Sequence, residues 1–200
     1  MKNCHGYWLP DDESHFSKFI ERNNGAGYQE NIRNLALSYV DKFDVSIDIG
    51  ANFGLWSYTL EKKFTTNIAI EPIQEHCDYL KINAPLTDVH QVALGNSTGT
   101  LNMKRNFENY GKTCVDKDGD TEVPVVLLDS LNLPAANFIK IDVEGFEYFV
   151  LLGGEQYIKK SRPVLVIEQE KKNPLINNLL ASWGYTLVDS IKHDYIYKVI

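Results

Sequence analysis

From about residue 44 onward, short apolar runs alternate with amphipathic stretches, the trace that a parallel sheet with crossover helices leaves in a sequence. Val45-Ser46-Ile47-Asp48-Ile49 ends at Gly50 and predicts a first strand. Phe53 to Lys63 predicts a helix, and Asn67 to Ile70 a second strand closing on Glu71-Pro72. A second helix follows from Ile73 to Asn83, with Ile73, Cys77, Leu80 and Ala84 on one face. Val89 to Leu94 reads as a third strand, stopped by Gly95-Asn96. Residues 97–128 break the rhythm. Strand-like pieces there flank turn residues, and Asp118-Gly119 is a hairpin signal, so an antiparallel excursion beside the main sheet is expected. The alternation resumes with a strand over Phe138–Val143, a helix over Phe146–Lys160 and a strand over Pro163–Glu168. Pro174 suits the first turn of a helix running to Trp183 and stopped by Gly184. Tyr185–Asp189 and Asp194–Val199 then pair as a terminal antiparallel hairpin.

Upstream, Ile32, Leu35, Ala36, Tyr39 and Val40 mark one amphipathic helix, expected over an edge of the sheet and preceded by a loop from Asn23 to Gln29. The expected fold is α/β and Rossmann-like, a mostly parallel sheet flanked by helices. It forms one domain over residues 1–200, with an N-terminal cap at 1–43 and the core at 44–200.

Charge changes this picture only by exclusion. Lys and Arg number 20 against 27 Asp and Glu, a net −7, and no long basic run occurs. A nucleic-acid or anionic-membrane surface, which needs clustered cations, is therefore not expected. Cys4, Cys77 and Cys114 are odd in number and widely spaced, so reduced thiols are expected rather than a disulfide framework. With no signal-peptide pattern and no apolar run of membrane-spanning length, the expected location is cytoplasmic. No metal is expected. Asp116, Asp118 and Asp120 have the look of a calcium loop, but Gly119 is misplaced and the closing Glu is missing.

Candidate chemistry gathers where strands end, because open parallel sheets bind ligands at their carboxyl edge. Asp48-Ile49-Gly50-Ala51-Asn52-Phe53-Gly54 joins a strand to a helix through glycines that allow a tight turn and close backbone approach. Glu71, closing the next strand, stands where a carboxylate can accept from ribose hydroxyls. A dinucleotide site would prefer Gly-x-Gly-x-x-Gly, whereas Gly50-x-x-x-Gly54 behind Asp48 fits an amino-acid-bearing nucleoside better. Tyr58 and Lys62 have the Tyr-x-x-x-Lys spacing of short-chain dehydrogenases but sit directly after the glycine turn, so they read as a surface helix face. At the other strand end, Lys140, Asp142 and Glu144 alternate and share one side while the strand persists. Asp142 or Glu144 could orient or deprotonate an acceptor; the plainer reading is a Lys140–Asp142 ion pair with Glu144 at a helix start. Glu168 ends the next strand and could join this group, although Glu168-Gln169-Glu170-Lys171-Lys172 reads more readily as a solvated charge run, and His193 is a reserve base. Tyr7, Trp8, Phe107, Tyr110 and Tyr195 could stack on a sugar or simply pack.

Across residues 45–170 the chain resembles the FkbM family of S-adenosylmethionine-dependent methyltransferases. The residues carrying the resemblance are Ile47 to Gly54, Glu71-Pro72, Val92-Ala93-Leu94-Gly95, Leu128-Asp129-Ser130-Leu131 and, most specific, Phe138-Ile139-Lys140-Ile141-Asp142-Val143-Glu144-Gly145. The resemblance implies a class I methyltransferase fold of seven strands with the last antiparallel, and methyl transfer to oxygen, often on a sugar hydroxyl. It implies S-adenosylmethionine as cofactor, its methionine part held by Asp48, Gly50, Ala51, Asn52 and Gly54. The ribose would lie against Glu71 and Pro72, and the adenine near Ala93 and Leu94. Tyr28 and Gln29 resemble the leading segment of phage- and bacterium-encoded relatives, which folds over the cofactor. Asp142 would border both ligands. The expected partner is a small-molecule or glycan acceptor. The rival readings are an NAD(P)-dependent oxidoreductase and a non-catalytic nucleoside-binding module.

Overall fold

The computed structural model describes residues 1–23, 27–107 and 109–200; residues 24–26 of the expected loop lie outside the described residues. The chain opens with β1 (Lys2–Cys4), β2 (Tyr7–Leu9), α1 (His15–Arg22) and α2 (Glu30–Leu37). The first half of the core comprises β3 (Val45–Ile49), α3 (Ser57–Lys63), β4 (Thr66–Ile70), α4 (Gln74–Asn83) and β5 (Asp88–His90). Next come β6 (Ala93–Leu94), β7 (Gly99–Lys104), β8 (Cys114–Val115) and β9 (Thr121–Val126). The second half comprises β10 (Phe138–Ile141), α5 (Glu147–Gly153), α6 (Glu155–Ser161), β11 (Val164–Glu168), α7 (Pro174–Ser182), β12 (Tyr185–Ile191) and β13 (Asp194–Val199).

The main sheet has the order β12-β13-β11-β10-β3-β4-β5, parallel except for β13, which runs antiparallel to both β11 and β12. Chain order reverses beside β3, whose neighbours are β4 and β10. That reversal opens a crevice at the carboxyl ends of β3 and β10. Every residue of β3 is buried because helices cover both faces, and a strand so enclosed must be apolar throughout except where a polar group has a job. On one face Ile47, Ile139, Ile141 and Ile167 pack against Val150, Leu151, Ile158 and Leu180 from α5, α6 and α7. On the other, Phe138, Val166 and Ile196 meet Trp56 and the α2 residues Ile32, Ala36 and Leu37. Helix α2 therefore lies on a face of the sheet rather than over an edge. Its apolar stripe needs the breadth of several strands, each fully buried side chain contributing about 1.5–3 kcal/mol.

Several boundaries depart from the periodicity, each for a local reason. The helix after β3 begins at Ser57 rather than Phe53, because Asn52 (φ +50°) and Gly54 (φ +81°) are left-handed. The third strand divides: Val92 N–H turns back to His90 O (3.0 Å), and β6 leaves to pair in parallel with β9 in a second sheet of order β6-β9-β7-β8. Asp118-Gly119 forms a turn closed by Gly119 N–H to Asp116 O (2.9 Å), yet β8 and β9 both pair with β7 and not with each other. The helix expected over 146–160 breaks at Gly154, where the chain packs closely: a Cβ on Gly153 would stand 1.9 Å from Gly95 O.

The N-terminal hairpin and α1 had no counterpart in the pattern. The hairpin turns at His5 and Gly6, both with positive φ, as two-residue turns require. Fully buried Glu13 starts α1 by accepting from Phe16 N–H (2.6 Å) and Ser17 N–H (3.0 Å). No helix among the described residues is long and apolar enough to cross a membrane.

Candidate active site

The end of β3 is locked to the end of β10 by backbone alone. Gly50 sits at φ +75°, where a Cβ would fall 1.8 Å from Asp142 O, so only glycine lets the two strand ends converge. Gly50 and Ala51 N–H both donate to Ile70 O, at 2.9 and 3.2 Å. Asn52 N–H donates to Glu71 Oε2 (2.9 Å), and Asn52 Nδ2 donates to Tyr110 O (3.0 Å). Glu71 Oε1 accepts from Ile73 N–H (3.0 Å) and meets His76 Nδ1 at 3.1 Å. The carboxylate is thus oriented by backbone from two elements, and its oxygens still have lone pairs for ligand hydroxyls.

Gly50, Ala51, Asn52, Glu71 and Pro72 line a cavity of about 1160 Å³, and Ala93 and Leu94 supply apolar wall. The volume and the mixture of apolar wall with a few fixed polar groups suit a nucleoside together with a second small molecule. Three predicted cofactor residues lie elsewhere. Asp48 is fully buried beneath the floor, accepting from Ser57 Oγ (2.7 Å) with Lys140 Nζ at 3.8 Å. Burial pushes its carboxyl up, against the pull of Lys140 and Ser57. Gly54 packs on α4, where a Cβ would be 3.0 Å from Leu80 Cγ. Gln29 accepts from Trp56 Nε1–H (2.6 Å), and its neighbour Tyr28 is the one that reaches the cavity. These are supporting positions, one layer behind the wall.

Across the cavity stand Lys140, Asp142 and Glu144, as the alternation suggested, although the strand ends at Ile141. Glu144 joins them through a left-handed turn (φ +52°), not by strand period. Buried Glu147 fixes that turn, its Oε1 accepting from Val143 N–H (3.1 Å) and Gly145 N–H (3.0 Å). Lys140 Nζ reaches Asp142 Oδ2 at 2.9 Å. Glu168 completes the group, with carboxylate oxygens of Asp142, Glu144 and Glu168 all within 4.8 Å of one another. Of the two readings of Glu168, the geometry matches the one that joins it to this group and not the solvated charge run. In-register pairing of β10 with β11 sets it beside Asp142, and Asp194 faces it across β13.

So many carboxyls cannot all ionise around one ammonium. Burial disfavours charge on Asp142, but Lys140 and hydrogen bonds from Lys140 and Glu168 hold it below the usual carboxylate range. Glu168, half-buried and hydrogen-bonded to Asp142, is raised far above that range and keeps the shared proton. Glu144 is pushed up to about 7 by burial and by the charges of Asp142 and Glu147. Burial and Asp142 raise Asp194 to about 6. The spacing of the triad is also one at which a divalent cation can be held, and the Lys140 ammonium and the shared proton already offset part of its charge. His193 lines the cavity too, its Nδ1 3.0 Å from Glu170 O.

Among the aromatic candidates, Phe107 lines the cavity and is 49% exposed, whereas Tyr7 and Tyr110 are buried and Tyr195 packs on the core. Trp8, 39% exposed, does not reach it. Tyr58 and Lys62 pair with each other on α3, the ammonium 3.0 Å from the ring centroid.

Comparison with known proteins agrees with this geometry. The fold is similar to a methyltransferase FkbM from Methylobacillus flagellatus (22% identity, TM-score 0.57), over 78% of this chain and 43% of that one. This chain thus spans less than half of that protein. It is also similar to a TehB-like SAM-dependent methyltransferase from Corynebacterium glutamicum (10% identity, TM-score 0.52), over 93% of this chain and 98% of that one. No curated protein matches the sequence. Residues 48–187 match the methyltransferase FkbM domain, from the residue below the glycine turn to the penultimate strand. The chain therefore belongs to the FkbM family of class I S-adenosylmethionine-dependent methyltransferases.

Proposed function

We propose that the chain transfers the methyl group of S-adenosylmethionine to a hydroxyl of a sugar-containing small molecule or glycan. The observation that carries this reading is the facing arrangement in one cavity: Glu71 and the glycine turn on one wall, Asp142 and Glu144 on the other. The bound cofactor supplies an electrophilic methyl on a sulfonium. The protein must then align an acceptor oxygen, exclude water and remove a proton as charge leaves that oxygen. Gly50, Ala51 and Asn52 would hold the amino-acid end, Glu71 the ribose hydroxyls, and Ala93 and Leu94 the base. Asp142, kept ionised by Lys140, can accept a hydrogen bond from the acceptor hydroxyl. Glu144, with a pKa of about 7, is poised to take its proton near neutrality.

The test is incubation with methyl-labelled S-adenosylmethionine and a panel of sugar-containing compounds, neutral and phosphorylated, each offered with free hydroxyls, as its fully O-acetylated counterpart and as an amino-sugar analogue. Label on at least one free-hydroxyl compound and not on its blocked counterpart, with release of S-adenosylhomocysteine, is expected. Label transferred equally to the blocked compounds, or only to the amino sugars, would reject a hydroxyl acceptor.

A further inference from the structure

Beside the mouth of the cavity lies a second recess of about 470 Å³. Its floor is one face of α1, where His15, Lys18, Phe19 and Arg22 follow the i, i+3, i+4, i+7 spacing that places side chains on one side of a helix. Opposite, Asn106, Asn109 and Lys112 close it from the segment after β7. Lys18, Arg22 and Lys112 are cationic, and no acidic residue is among the described residues lining the recess. Among the described lining residues the sign is therefore opposite to the chain's net −7. Asn109 Oδ1 accepts from Gly111 N–H (3.1 Å), which leaves its amide NH₂ as a donor.

The recess adjoins the active-site cavity, since His15, Asn106, Asn109 and Lys112 line both. Lys112 and Glu144 both line the active-site cavity. The charges are therefore unevenly placed, with Asp142 and Glu144, partly offset by Lys140, on one side and Lys18, Arg22 and Lys112 on the other. A neutral ligand gains nothing from such a field. One that is anionic at one end is both attracted and oriented by it.

We propose that the acceptor carries a phosphoryl group, held in this recess, which points its opposite, hydroxyl-bearing end toward Asp142 and Glu144. The acceptor class is then a sugar phosphate or a sugar linked through a diphosphate to a nucleoside. This inference rests on the methyl-transfer reading above and narrows its substrate. Three flexible cations and an amide donor match the several oxygens and multiple charge of a phosphoryl or diphosphoryl group better than a single carboxylate.

The experiment is calorimetry on the full chain saturated with S-adenosylhomocysteine, titrated with inorganic pyrophosphate, glucose 1-phosphate, UDP-glucose and methyl glucoside. Pyrophosphate should bind the wild type, more weakly at higher salt, and at least one phosphorylated sugar should bind while methyl glucoside does not. The Lys18→Glu/Arg22→Glu protein should lose about 100-fold in pyrophosphate affinity, and Lys112→Ala about tenfold. Both should bind S-adenosylhomocysteine as the wild type does, which reports an intact fold. Preference for glucose 1-phosphate would assign a simple sugar phosphate, and preference for UDP-glucose a nucleotide-linked sugar. Equal pyrophosphate affinity in wild type and both variants, or methyl glucoside binding as well as the phosphorylated sugars, would overturn the inference while leaving methyl transfer intact. A wild type that does not bind S-adenosylhomocysteine would instead remove the reading beneath it.

Discussion

On the wall that would seat the cofactor, Glu71 is 4% exposed and tied to the backbone of Asn52 and Ile73, and Gly50 touches the carbonyl of Asp142. On the wall that would seat the acceptor, Phe107, Lys18 and Lys112 stand exposed on α1 and on the connection after β7. The first wall is made of strand ends and backbone groups, the second of side chains on segments far apart in sequence. A wall built from backbone tolerates little change of residue without loss of the fold. A wall of exposed side chains can be altered with the scaffold intact, so each wall can be tested separately.

The largest expected effect comes from Gly50→Ala, which should collapse the distinction by damaging both walls at once. The new Cβ meets Asp142 O, and the left-handed backbone adds strain, together costing about 2–5 kcal/mol. A urea melt should show a lower midpoint, with no measurable methyl transfer in the folded fraction. A midpoint equal to wild type would mean that the two strand ends are not held by this contact.

Glu144→Gln should leave the glycine turn, Glu71 and the exposed acceptor-side residues in place and strike the proton transfer itself. If Glu144 takes the acceptor proton, kcat falls by about 10²–10⁴-fold while S-adenosylmethionine affinity is retained. The base acts only when ionised, so the wild-type rate should rise as pH passes through about 7 and level off above it. The Gln protein should show no such rise. Normal turnover in Glu144→Gln would remove the residue from the mechanism, and Asp142→Asn would then be the decisive variant.

How much of each wall was legible follows from the same difference. Strands β3, β4, β10 and β11 are almost wholly buried and so wrote short, largely apolar runs, and the glycine turn and Glu71 lie directly at the ends of β3 and β4. Asp142 was found for that reason. Glu168 stands in the sequence as either a group member or a charge-run residue, because only the register between β10 and β11 brings it to Asp142 and no local pattern encodes that pairing. Glu144 was placed by strand period, whereas a left-handed turn held by Glu147 does the placing. Of the pair Tyr28 and Gln29 only Tyr28 reaches the cavity, since a loop has no period to fix which residue points inward. The cationic recess was invisible for a stronger reason. It exists only where α1 meets Asn106, Asn109 and Lys112, and α1 by itself carries only two cations beside Glu21.

Glu71→Gln should then weaken only the cofactor wall. The amide keeps the shape but gives up one charged acceptor and presents a donor to Asn52 N–H or Ile73 N–H. Hydrogen bonds to a charged group are worth about 1.5–3 kcal/mol, so calorimetry should show S-adenosylmethionine bound about 10- to 100-fold more weakly. The KM for acceptor, measured at saturating cofactor, should stay put. An equal rise in both constants would mean the walls are coupled through Glu71.

Phe107→Ala is the smallest and the most discriminating change, because it touches the acceptor wall alone. The ring is half-exposed at the cavity, with the Arg105 guanidinium 4.7 Å from its centroid and Tyr110 edge-on at 5.9 Å. An aromatic face so placed can stack on a sugar ring, a contact worth about 0.5–1.5 kcal/mol and hence about two- to tenfold in acceptor KM. Because the side chain contributes little to the core, the urea midpoint should move by no more than about 0.5 kcal/mol equivalent. Cofactor affinity should not change, since Phe107 is not part of the glycine turn or of the Glu71 network. A variant that lost cofactor affinity instead would show that the segment after β7 closes over the nucleoside. The boundary between the two walls would then have to be redrawn on the other side of Phe107.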